Sequence, residues 1–111
     1  MVEWLETLPV AITVSDKAGN IIDMNGYSQQ VFQKYGGKHL IGKHLHPCHH
    51  PDSIAKMETM LSQGTANIYT IEKQGRKKMI FQAPWFKEGE TAGLVEISIV
   101  LPEDMPHYVR D

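Results

Sequence analysis

Apolar residues alternate with small or polar ones over residues 10–15, where Val10, Ile12 and Val14 are separated by Ala11, Thr13 and Ser15. A period of two predicts a strand. The turn formers Asp16, Gly19 and Asn20 follow, and residues 21–24 read as a second strand. Asn25 carries the side-chain oxygen that an N-cap needs. After it, Tyr27, Val31, Phe32 and Tyr35 recur on one helical face until Gly36 and Gly37 close the segment. Upstream, Trp4, Leu5 and Leu8 have helical spacing and then meet Pro9, which predicts a short amphipathic turn.

Residues 38–50 show no period and read as a loop. Pro51 suits the first position of a helix, with Asp52 and Ser53 in its first turn, where the dipole favours them. Ile54, Met57 and Leu61 then share one face, and Gly64 ends the element. Three strands are predicted at 66–73, 77–86 and 92–101, joined by Gln74-Gly75 and by residues 87–90 into an antiparallel meander. In the last strand Val95, Ile97, Ile99 and Leu101 face one way, opposite Glu96 and Ser98. The expected fold is α+β: a five-stranded antiparallel sheet with helices packed on one face, one domain over 1–101, and a tail or linker over 102–111.

A chain of 111 residues can enclose one core. Its 41% hydrophobic and 22% charged residues are a globular balance. The net charge is −2, and basic residues cluster only at Arg76, Lys77 and Lys78, which argues against nucleic acid. A lone cysteine, Cys48, forms no internal disulfide, and no charged-then-apolar leader precedes a cleavage site. The apolar run near 95–101 is broken by Glu96 and Ser98 and is too short for a bilayer. A cytoplasmic protein without a membrane partner is expected.

Candidate chemistry concentrates in His44, His46, Cys48, His49 and His50. Neutral imidazole and thiolate are ligands for zinc, iron or haem, and a helix N-terminus disfavours the protonated imidazole. The spacing is that of one segment, whereas structural zinc sites draw paired ligands from two. Three readings stay open: a solvated or capping loop, a haem or metal site using His49 and His50, and another pocket role. Cys48 is a reactive thiol or a small buried hydrophobe. Tyr27, Met57, Tyr69, Phe81 and Trp85, with Met24, Met60 and Met79, would line an apolar cavity between sheet and helices or simply fill the core. No phosphate loop, nucleophile elbow or carboxylate pair is present, so an enzyme is not expected.

The element order and three phrases resemble the PAS family. They are Leu8-Pro9-Val10-Ala11-Ile12-Thr13-Val14-Ser15-Asp16, Gly19-Asn20-Ile21-Ile22-Asp23-Met24-Asn25 and Leu40-Ile41-Gly42-Lys43, completed by Gly93-Leu94-Val95-Glu96. A narrower likeness joins Cys48-His49-His50-Pro51-Asp52-Ser53 to the Cys-His-Pro-Pro stretch of PAS segments in bacterial hemerythrin-linked proteins, with His50 where that pattern has its first Pro. The resemblance implies a sensory or signalling domain that holds a small molecule, or haem through a histidine near the long helix. It would act through a homodimer or an effector domain. The residues assigned to such a ligand are His46, Cys48, His49, His50, Tyr27, Met57, Tyr69, Phe81 and Trp85. The alternatives are a ligand-free dimerisation module packing through Trp4 and Leu5, and a small metal-dependent enzyme using the histidine loop.

Overall fold

The computed structural model describes residues 1–44 and 51–111, the side chains of residues 51–53 excepted. Its elements are α1 (Glu3–Glu6), β1 (Ala11–Asp16), β2 (Ile21–Met24), α2 (Gly26–Val31), α3 (Pro51–Gln63), β3 (Asn67–Lys73), β4 (Arg76–Lys87) and β5 (Glu90–Val100). The five strands form one sheet in the order β2-β1-β5-β4-β3, every neighbouring pair antiparallel. This is the α+β arrangement expected from the pattern. Among the described residues no helix is long and apolar enough to cross a membrane.

Local chemistry explains the connections. Asp16 closes the β1–β2 turn by accepting from the backbone N–H groups of Ala18 at 3.0 Å and Asn20 at 2.9 Å. These bonds, that from Asn20 foremost, hold its carboxyl below the ordinary carboxylate value despite some opposing desolvation. Both later hairpins turn on two residues with positive φ, Gln74 and Gly75 in one, Glu88 and Gly89 in the other. That geometry matches the twist of the flanking strands. The second connection is therefore shorter than residues 87–90, because Lys87 and Glu90 are still paired.

The helical segment after Asn25 differs from expectation. The α-helix stops at Val31, and 3₁₀ turns at Gln33–Tyr35 and Gly37–Leu40 carry the chain onward. Phe32 leaves helical geometry there, and it packs on a small core of Ile21, Met24 and Leu40. The start of the expected loop is likewise structured: Gly42 N–H donates to the Ile21 carbonyl and Ile21 N–H to the Lys43 carbonyl. Val31 and Tyr35, expected on the apolar face, are exposed.

α3 lies on the sheet through β5 and β4, with Met60 buried and Ile54, Met57 and Leu61 half-buried. Its C-terminal end is closed by Gly64, whose N–H reaches the Met60 carbonyl, and by the Thr91 hydroxyl, which donates to the Leu61 carbonyl at 3.0 Å. β5 ends at Val100, and residues 102–111 are exposed without regular structure.

Side chains alternate across a sheet, so the register fixes its two faces. Thr13 bonds to Ser28 of α2, and Met57 of α3 borders a cavity with Thr13, Gln82 and Glu96. These positions therefore face the helices. Their sequence neighbours Ile12, Phe81 and Ile97, which pair across β1, β5 and β4, point to the opposite side.

Candidate functional site

Met24, Thr13, Glu96, Gln82 and Asn67 lie opposite one another in β2, β1, β5, β4 and β3, forming one row across the helix-facing side. The polar members are joined. Asn67 Nδ2 donates to Gln82 Oε1 at 3.0 Å, and Gln82 Nε2 donates to Glu96 Oε2 at 3.1 Å. A carboxylate only accepts, so Glu96 orients both amides: each must turn its NH₂ group along the row toward the acid. At the other end the Thr13 and Ser28 hydroxyls meet at 2.6 Å.

Above this row sits a cavity of about 30 Å³ between Thr13, Ser15, Gln82, Leu94, Glu96 and Met57. It has room for one or two waters. A second space of about 110 Å³ lies beside it, under α3 and against the β1–β2 turn, and shares Ser15, Met57 and Leu94 as walls. The acid makes itself felt beyond its own bonds. Tyr69, on the same face, has its phenol pushed above the ordinary value, first by burial and then by the Glu96 charge.

Asn25 fastens α2 over this site. Its side chain is wholly buried and uses every hydrogen-bonding position: Oδ1 accepts from Ile12 N–H at 2.9 Å and Ser28 N–H at 3.0 Å, while Nδ2 donates to the Leu5 carbonyl at 2.9 Å and the Val10 carbonyl at 2.8 Å. The expected cap is thus also the tether of α1.

Of the residues assigned to a ligand from the sequence, Met57 borders the cavity and Tyr69 lies on the cavity side of β3, partly exposed. Tyr27 is half-buried on α2. Phe81 is on the other side of the sheet, paired with Ile97 and Ile68, because its neighbour Gln82 occupies the inward position. Trp85 crosses Gly93 on β5 and donates from its indole N–H to the Ser15 carbonyl on β1 at 2.9 Å. A Cβ at Gly93 would collide with that carbonyl and with the indole nitrogen, so glycine is required there. Trp85 is thus a staple between strands rather than a cavity wall.

His46, Cys48, His49 and His50, including both proposed metal ligands, lie outside the described residues. His44 is described: its Nε2 is 2.6 Å from the Ala18 carbonyl, joining the loop to the β1–β2 turn. Among the described residues no three His, Cys, Asp or Glu side chains are grouped to hold a metal ion. Thr13, Gln82, Glu96 and Asn67 were missed as site residues. Their one signal is that each is a polar residue flanked by apolar ones within a strand, a pattern that by itself reads as the solvent face.

No protein-family model matches the sequence, and no curated protein matches it. Solved structures do. A sensory box sensor histidine kinase from Vibrio cholerae superposes with a TM-score of 0.67 at 18% identity over 90% of this chain and 88% of that one. The PAS domain of histidine kinase ThkA gives 0.67 at 19% identity over 81% and 97%. The Aer2 receptor from Vibrio cholerae, described as a dual PAS-heme oxygen sensor, gives 0.64 at 13% identity over 84% and 95%. The class defined by this sheet order and these helices is the PAS fold. At such identities the likeness is one of fold and shows no narrower group.

Proposed function

We propose that the chain is a PAS-type sensory and signalling domain, not an enzyme, and that a small ligand between the inner sheet face and α3 reports to a partner or an attached effector. The observation that carries this is the hydrogen-bonded polar row beneath the cavity. Polar groups turned toward a core cost free energy that an apolar row would not, and a ligand-recognition surface is a reason to keep them. A ligand acts only through unequal affinity for two arrangements. The bonds from Thr13 to Ser28, Ser28 to Asn25 and Asn25 to Leu5 link the cavity to α1 and supply a route for the difference.

Haem, one of the three readings of the histidine loop, is supported by the likeness to Aer2 alone. The described cavity is far below the volume of a macrocycle, and no histidine, cysteine or tyrosine is among its described walls. The lone Cys48 suits a reducing compartment, and the reading takes the domain as cytoplasmic. Extraction and mass spectrometry of the purified protein, with an absorption spectrum, test the proposal. A stoichiometric small molecule whose re-addition raises Tm is expected, and a Soret band would identify it as haem. A protein that carries nothing, and that no compound of a metabolite-like set stabilises, would sink the ligand reading.

A second reading, a ligand-free dimerisation module, is favoured by Ile97, Phe81 and Ile68 of the outer row, which are half-buried or exposed where Ile12 is buried. In it the apolar outer face, rather than the cavity, meets the partner.

A further inference from the structure

We infer that the ligand of this site is a small organic cation, an amine or amidine, held by the Glu96 carboxylate in the cavity beneath Met57. The inference rests on the ligand-binding reading above and adds to it the charge of the ligand.

Glu96 sits in the middle of the sheet, on β5, between the β1 and β4 neighbours Thr13 and Gln82. A carboxylate offers about four acceptor positions on two oxygens. Gln82 Nε2 takes one, on Oε2. Thr13, on the other flank, has its hydroxyl paired with Ser28, and the Ser15 hydroxyl points to the Leu94 carbonyl. The walls therefore leave acceptor capacity turned to the cavity and bring little to match it.

Among the described residues the charge is likewise unanswered: no Lys, Arg or His forms an ion pair with Glu96. The nearest basic residue on the same face of β4 is Lys78, four positions along the strand from Gln82, about 13 Å away. The Tyr69 phenol on the same face is raised first by burial and then by the Glu96 charge. A row whose amide hydrogens all point toward one carboxylate is complementary to a positively charged donor, and it repels an anion.

The size of the ligand follows from Met57. Its side chain is a shared wall of the cavity of about 30 Å³ and the neighbouring space of about 110 Å³. An unbranched methionine changes rotamer easily. Its displacement would join the two spaces, the second of which carries Asp16 and Glu58 against Lys17. A body of about one ring with a cationic head fits this volume.

The test is an NMR titration of the full ¹⁵N-labelled chain with three compounds of near-equal size: benzylammonium, benzyl alcohol and benzoate. Benzylammonium should shift the amide signals of Gln82, Leu94 and Glu96 saturably, with a Kd at least about tenfold below that of benzyl alcohol, and benzoate should not bind. Glu96→Gln should erase the preference for the cation over the alcohol; Glu96→Asp, which keeps the charge, should retain it. Dispersed spectra of both variants establish that they fold. Alcohol or benzoate binding as tightly as the cation, or a preference that survives Glu96→Gln, would overturn the cation proposal and leave the ligand site standing. Signals unmoved by all three compounds would overturn the site and the cation together.

Discussion

Two adjacent rows of the same four strands are built from opposite chemistry. Thr13, Glu96, Gln82 and Asn67 face the helices and are linked by directed hydrogen bonds. Ile12, Ile97, Phe81 and Ile68, one residue along, face away and are wholly apolar. In an ordinary half-covered sheet the apolar row is inward and the polar row meets water. Here α2 and α3 lie over the polar row. The difference teaches that the helix layer is not held on by apolar burial alone. Its attachment relies on placed hydrogen bonds, with Asn25 as the main anchor, while the outer row has apolar area and no directional bond.

That contrast predicts the most damaging change on the inner side. Asn25→Ala removes four hydrogen bonds at a fully buried position and strands Ile12 N–H, Ser28 N–H and two carbonyls. A loss of about 3 kcal/mol is expected, a fall in Tm of roughly 10–20 °C in a thermal melt followed by circular dichroism. A loss below about 1 kcal/mol would mean that apolar contacts hold the helices after all.

On the outer side, Ile97→Lys should cost only about 1 kcal/mol in a monomer, since the long stem of lysine still covers its neighbours. If the outer face instead joins two copies, the same substitution should reduce the mass measured by light scattering from dimer to monomer. The outcome separates the two functional readings, because the cavity lies on the other side of the sheet.

The smallest expected effect is at the edge, where Asp16 closes the β1–β2 turn. Its folded carboxyl titrates below the ordinary 3.8, so its contribution is fully present above that value and is lost as the pH falls through the lower, folded one. The Ala18 and Asn20 amide signals should move together below about pH 3.8 while the Gln82 amide stays put. Movement of all three at once would couple the turn to the polar row.

Strand positions and hairpins were legible because they depend on local chemistry. Gln74-Gly75, a Gly-containing pair between two strand patterns, marks a short turn, and Pro51 and Gly64 bracket α3 from the sequence. The end of α2 was not, since Phe32 leaves the helix to reach Ile21, Met24 and Leu40, partners that helical periodicity does not reveal. The polar row was hidden for a related reason. Alternation in β5 separates Glu96 from Ile97 but does not say which side the helices will cover, and residues 13, 67, 82 and 96 meet only once the register of four strands is set. Phe81 and Trp85 were assigned to the cavity on apolar character alone, and that same ambiguity of side sent them across the sheet. The histidine-rich stretch, the strongest chemical signal in the sequence, falls mostly at residues outside the structural description.

Trp85 has one more consequence. Its indole N–H is held by the backbone carbonyl of Ser15, a residue that also walls the cavity, whereas Trp4, the second tryptophan of the chain, is 67% exposed at the other end of β1. The molecule therefore contains its own optical reporter. With Trp4 replaced by phenylalanine, the emission of Trp85 follows a single bond between β4 and β1, so any occupant that displaces Ser15 changes the fluorescence without a label.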